Sequence, residues 1–180
     1  MNGKALFLDR DGVINEDLNY VYRRSDFLFI EGIFDLCRAA VTSRFEVIVV
    51  TNQAGIARGY YSEAQFHELT AWMIAQFNEN GVPIRKVYFC PFHPIEGIGE
   101  YRRDAECRKP KPGMILAARD ECGLNLRDCI LLGDKLTDIE AGQRAGVGTN
   151  VLLSSTPLQG VTTVPSLRAA IPLLSGATPK

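Results

Sequence analysis

The chain has 180 residues, 46% of them apolar and 23% charged, which is ordinary usage for one globular domain. Its 20 Lys and Arg against 21 Asp and Glu leave a formal charge of −1, which argues against a nucleic-acid footprint or a basic membrane surface. No apolar run approaches the roughly 20 residues of a membrane span. The first residues run straight into a strand-like segment with no export signal, and five irregularly spaced cysteines suit a reduced compartment. The expectation is a cytoplasmic monomer that meets neither nucleic acid nor membrane.

Short apolar runs alternate with helical patterns along the chain. Lys4 to Leu8, Glu46 to Val50, Ile84 to Phe89, Cys129 to Leu132 and Val147 to Leu153 are rich in Val, Ile, Leu and Phe. They read as five buried parallel strands. Gly32 to Ser43 carries a helical stripe of Ile33, Leu36, Cys37 and Ala40. Ser62 with Gln65 predicts a capping box, Phe66, Leu69, Met73 and Phe77 share one face, and Gly81 marks the stop. Further helices are expected from Pro112 to Gly123, from Thr137 to Ala145 and, briefly, from Ser166. Trp72 reads as core, His67 as surface, and Ser175 to Lys180 as a frayed tail. The alternation predicts an α/β fold: one doubly wound, Rossmann-like domain over 1–180 with a central parallel sheet and no cap domain. Its motif-bearing core spans 4–153, and 154–180 form a C-terminal extension.

Unusual polar residues fall at the carboxyl ends of the strands, where open α/β sheets bind ligands. Strand one ends in Asp9-Arg10-Asp11-Gly12, strand two in Thr51-Asn52-Gln53, and strand four in Gly133-Asp134-Lys135, with Asp138 a turn later. Arg108-Lys109-Pro110 precedes the third long helix. Taken singly, each has a bland reading: a DxDG turn, a polar strand end, a helix cap, a surface lysine. Four such elements in order, each at the correct end of a strand, point to one site. Gathered carboxylates need a cation, and oxygen-only ligands suit Mg²⁺. Thr51, Lys109 and free backbone N–H groups are suited to cradling a phosphate. A metal, a phosphate cradle and an ionised Asp together suggest phosphoryl transfer through an aspartyl-phosphate.

FLDRDGVIN (Phe7 to Asn15), VVTNQAGIARG (Val49 to Gly59), CRKPKPGM (Cys107 to Met114) and LLGDKLTDIEAG (Leu131 to Gly142) resemble the four motifs of the haloacid dehalogenase superfamily. Within it they are similar to small capless phosphatases that act on heptose 1,7-bisphosphate, with histidinol-phosphate phosphatase domains as the nearest cousins. The resemblance covers residues 4 to 153. It implies Asp9 as nucleophile, Asp11 as general acid/base, and Thr51 and Lys109 on the phosphoryl oxygens. It implies Mg²⁺ on Asp9, the Asp11 backbone carbonyl and Asp134. Asp17, Asn19, Tyr20, Asn52, Gln53, Arg108 and Lys135 match substrate-contacting positions, and Asp138 matches a supporting acid. The implied partner is a small sugar phosphate. The alternatives are a histidinol-phosphate phosphatase or a non-catalytic phospho-ligand binder, and a binder would have no need of Asp11.

The loop from Cys90 to Lys111 departs from the resemblance. Many relatives hold zinc there with a Cys-x-His and a Cys-x-Cys pair. Here Phe92 and Ala105 stand at two of the four ligand positions, and His93 falls one residue late. Three ligands do not close a structural site, so no structural zinc is expected. Tyr101, Arg102 and Arg103 are expected to tie the loop down by stacking and ion pairs.

Overall fold

The computed structural model describes residues 3–175. Its apolar runs form β1 (Ala5–Leu8), β2 (Glu46–Asn52), β3 (Ile84–Cys90), β4 (Ile130–Gly133) and β5 (Thr149–Leu153), and a sixth strand, β6, follows at Thr162–Val164. All neighbouring strands pair in parallel, in the order β3-β2-β1-β4-β5-β6. Helices α1 (Ile33–Thr42), α2 (Ala54–Ala57), α3 (Glu63–Glu79), α4 (Gly113–Cys122) and α5 (Leu136–Ala145) make the crossovers. The order reverses direction beside β1, which places the topological switch point between β1 and β4.

The period-two alternation of the strands sorts side chains between two layers. Leu6, Leu8, Val47, Val49, Ile130 and Leu132 pack with Ile33, Leu36 and Cys37 of α1 and with Leu69, Met73 and Phe77 of α3. Phe7, Ile48, Val50 and Leu131 pack on the opposite face with Met114, Ile115 and Ala118 of α4 and Ile139 of α5. Each such side chain contributes about 1.5–3 kcal/mol by leaving water, so β1, β2 and β4 form a stiff floor. The capping box of α3 is present: Ser62 Oγ accepts from the Gln65 N–H at 3.2 Å, and Gln65 Oε1 accepts from the Ser62 N–H at 2.9 Å.

The differences from expectation lie at the edges. β6 was not anticipated, because two threonines in a three-residue strand carry little apolar signal. α2, four residues long, is too short for a periodic pattern. Arg85 and Lys86 of β3 are exposed, since β3 is an edge strand rather than one buried on both faces. Val147 and Gly148 precede β5 rather than joining it. The last helix is a 3₁₀ segment, Arg168–Ser175, and the tail beyond Ser175 lies outside the described residues. Trp72 is half-buried against Phe27 and Phe29, and His67 is exposed on α3. Among the described residues, no helix is long and apolar enough to cross a membrane.

Candidate active site

The carboxyl ends of β1, β2 and β4 border a cavity of about 300 Å³. Asp9, Asp11, Asp17, Asn19, Tyr20, Asn52, Gln53, Arg108, Lys109 and Lys135 line it, joined by Ala54, Tyr61, Thr137 and Asp138. Thus both carboxylates expected to be catalytic, Asp9 and Asp11, come together with every expected substrate-contacting residue. Asp134 and Thr51 lie behind this lining. Thr51 is wholly buried, and its hydroxyl accepts from Gln53 Nε2 at 2.9 Å.

Asp9 continues β1, its N–H donating to Leu132 O at 3.1 Å. Its Oδ1 accepts the Arg10 N–H at 2.7 Å and lies 3.0 Å from Lys109 Nζ. Lys109 is 4% exposed, so its ammonium cannot rely on water. It lies 2.7 Å from Asp138 Oδ1 and donates to Val50 O at 2.8 Å, so its three protons have three oxygen partners. Burial pulls the lysine pKa down, but Asp9 and Asp138 outweigh it and hold the ammonium charged. The second oxygen of Asp138 accepts the Lys135 N–H at 3.0 Å, capping α5.

For Asp9 burial wins over Lys109: desolvation and the neighbouring carboxylates raise its pKa to about 7. Burial likewise raises Asp134 to about 6, with Asp138 adding to the shift against Lys135. Oxygens of Asp9, Asp134 and Asp138 all lie within 4.8 Å of one another. Asp134 Oδ1 is buried with no hydrogen-bond partner. A Cβ on Gly12 would meet Asp134 Oδ2 at 2.2 Å, and Gly12 holds φ +89°, so only glycine lets the β1 loop close over this carboxylate. Converging buried oxygens, one of them orphaned, form a hard-cation donor set that fits Mg²⁺. Asp138 already serves Lys109 and the α5 cap, which leaves Asp9 and Asp134 as the side chains better placed to bind the ion.

Asp11 is held by residues that the motif spacing does not reveal. Arg10 is 1% exposed; its guanidinium meets both Asp11 oxygens, with Nη2 at 2.9 Å from each, and donates to Val21 O at 2.6 Å. Asn15 Nδ2 donates to Asp11 at 3.0 Å and Gln53 Nε2 at 3.1 Å. The buried Tyr61 hydroxyl donates to Gln53 Oε1, fixing the amide. Two-residue alternation would turn Arg10 away from Asp9 and Asp11 alike, so this clamp carries no local sequence signal.

Opposite them, Lys135 Nζ meets Asp17 Oδ2 at 2.9 Å across the mouth. Burial raises Asp17, but the Lys135 hydrogen bond and charge hold it below the usual carboxylate range. Asn19 and Tyr20 adopt left-handed φ of 61° and 57°, and the Tyr20 ring meets Tyr60 edge-on at 4.8 Å. Asn52 binds the backbone of Lys109 from both sides, its Nδ2 donating to Lys109 O and its Oδ1 accepting Lys109 N–H, each at 3.1 Å. Arg108 is half-buried, with one nitrogen donating to Phe92 O at 3.0 Å.

In the long loop, Cys90 and Cys107 come together, with sulfurs 2.9 Å apart. His93 Nδ1 accepts from the backbone of Ile95 and Glu96. Arg103 lies 3.7 Å over the Phe92 ring, and Tyr101 donates to Glu63 at 3.1 Å, so stacking and hydrogen bonds brace the loop.

A HAD-hydrolase-like family model matches residues 106–171. A D-glycero-alpha-D-manno-heptose-1,7-bisphosphate 7-phosphatase from Burkholderia mallei is 50% identical, covering 99% of this chain and 97% of its own length. A D-glycero-beta-D-manno-heptose-1,7-bisphosphate 7-phosphatase from Vibrio cholerae is 48% identical over 83% of this chain and 80% of its own. The crystal structure of D,D-heptose 1,7-bisphosphate phosphatase from B. bronchiseptica, complexed with magnesium and phosphate, superposes with a TM-score of 0.82. It is 27% identical, covering 97% of this chain and 99% of that one. With the site at the β1–β4 switch point and a relative this similar over nearly its whole length, the chain belongs to the HAD-like hydrolases, in the family of the heptose-1,7-bisphosphate 7-phosphatases.

Proposed function

We propose that the chain is a Mg²⁺-dependent phosphatase that removes the C7 phosphate of heptose 1,7-bisphosphate through an aspartyl-phosphate. The product would be heptose 1-phosphate, a precursor of nucleotide-activated heptose for surface polysaccharide. The whole chain would act as one capless domain, with its motifs in 4–153, and as a cytoplasmic monomer. The observation that carries the reading is the buried Lys109 bound to Asp9 and Asp138 beside the orphaned Asp134 oxygen.

Asp9 would attack phosphorus while the bond to the sugar oxygen breaks. Asp11 would turn from Arg10 to give that oxygen its proton, then take a proton from the water that hydrolyses the acyl phosphate. Lys109 already points its charge at Asp9, so it would offset charge growing on the equatorial oxygens without reorganising. Thr51 would join it once Gln53 releases the hydroxyl. Mg²⁺, held by Asp9, Asp134 and the Asp11 backbone carbonyl, would reduce repulsion between the anionic nucleophile and the anionic phosphate. Asn19, Tyr20, Asn52, Arg108 and the Asp17–Lys135 pair would grip the remainder of the sugar phosphate.

The test is phosphate release, with and without Mg²⁺, from both anomers of heptose 1,7-bisphosphate and from histidinol phosphate, with Asp9→Asn as the control. Mg²⁺-dependent release of one phosphate from a heptose bisphosphate, absent in Asp9→Asn, is expected. Preference for histidinol phosphate would reassign the substrate and keep the mechanism. Wild-type-like turnover by Asp9→Asn would sink the covalent route. Binding without release would make the protein a phospho-ligand binder.

A further inference from the structure

The thiol pair in the long loop takes no part in phosphoryl transfer. Cys90 closes β3 and is fully buried, and its backbone oxygen accepts the Gln53 N–H at 2.8 Å. Cys107 comes back beside it after the loop, half-exposed and directly ahead of Arg108 and Lys109. Their sulfurs stand 2.9 Å apart, so forming a bond asks for a movement of about 1 Å. Phe92 and Ala105 supply no metal-binding atom nearby, and the ring nitrogen Nδ1 of His93 is taken by backbone N–H groups. We propose that Cys90 and Cys107 form an oxidative modification site, a dithiol that hydroperoxides convert reversibly to a disulfide.

The two positions divide the work unequally. The hydrogen bond shared with Cys90 lowers Cys107 to about 7 against the opposing effect of burial, with the guanidiniums of Arg103 and Arg108 adding to it. The same hydrogen bond and burial push Cys90 up, so it keeps its proton in reserve. The buried Cys37 and Cys129 thiols are raised, to about 12 and about 11, by burial, which leaves them inert. An accessible thiolate with a resolving thiol in contact is the arrangement of redox-sensitive cysteines. The Cys107 thiolate attacks a peroxide oxygen; the S–O bond forms, the O–O bond breaks, and the alcohol or water leaves. Cys90 sulfur then attacks Cys107 sulfur; the S–S bond forms, the S–O bond breaks, and water leaves with the Cys90 proton. The sulfurs lose two electrons and the hydroperoxide gains them.

The experiment adds hydrogen peroxide to the reduced full-length protein, counts thiols after denaturation, and maps peptides. All five cysteines are free at the start. The expected result is loss of two thiols, recovery with dithiothreitol, and one cross-linked peptide joining Cys90 to Cys107. Iodoacetamide at neutral pH should label Cys107 about tenfold faster than Cys122. Cys90→Ser should stop at a Cys107 sulfenic acid that dimedone traps. Absence of the cross-linked peptide in the wild-type protein would overturn the proposal without relying on any variant. So would a zinc ion recovered at one per chain and released by thiol alkylation, because the thiols would then be metal ligands.

Discussion

Lys109 shows how one side chain serves structure and chemistry together. Its single charge is shared between two buried carboxylates, Asp9 and Asp138, and its aliphatic stem crosses from the loop to β2. Lys109→Met keeps the stem and removes the charge, leaving both aspartates uncompensated. The expected cost is about 3–5 kcal/mol of stability, read from urea unfolding at neutral pH, together with loss of turnover. Lys135 is the opposite case. Its side chain is 55% exposed and pairs with Asp17 at the mouth, where solvent screens the pair. Lys135→Ala should leave the melting temperature within error and raise KM about tenfold with a small change in kcat. A lowered kcat at unchanged KM would move Lys135 from gripping the substrate to stabilising the transition state. This difference in burial is not visible in the sequence, where Lys109 stands in Arg108-Lys109-Pro110 and Lys135 in Gly133-Asp134-Lys135.

At the level of elements, the legible parts were those with a local physical signature. The apolar runs of β1, β2 and β4 and the Ser62–Gln65 cap of α3 announce themselves because packing and capping act within a few residues. What the pattern hid depends on distant partners. Arg10 is buried and clamps Asp11, a role set by the Val21 backbone folding over it. α2 is held by Gly55 lying against Tyr61: a Cβ at residue 55 would come within 2.1 Å of the Tyr61 ring. That ring carries the hydroxyl that fixes Gln53, and Gln53 in turn donates to Asp11 and Thr51. Gly55→Ala should therefore cut activity by more than about tenfold, an effect passed through three side chains rather than through helix propensity, which favours alanine by up to about 1 kcal/mol. Ser62→Ala is the matched control one element later. It should lose about 1 kcal/mol by removing the α3 cap while kcat stays unchanged. Equal loss of activity in both would point to general destabilisation instead of the Tyr61–Gln53 relay.

For the molecule as a whole, the carboxyl end of the sheet stores electrostatic cost that the hydrophobic layers offset. Without a cation, Asp9 and Asp134 hold their protons to about 7 and about 6, against an ordinary 3.8. Over that interval the folded chain binds more protons than the unfolded one, so stability falls as pH rises from about 4 through about 7. The contribution is fully present only below the ordinary carboxylate value, the reverse of an aspartate held low by a salt bridge. A divalent ion binds the ionised pair, so it must displace these protons at low pH and meets no such competition at pH 8. Mg²⁺ at ten times its dissociation constant adds about 1.4 kcal/mol, a rise of about 3–6 °C for a chain of this size. Melting curves with and without Mg²⁺ should therefore separate widely at pH 8 and converge at pH 5.5, and Asp134→Asn should remove most of the pH 8 separation. A separation equal at both pH values would mean that the ion binds away from these two carboxylates, and the metal assignment would fall with it.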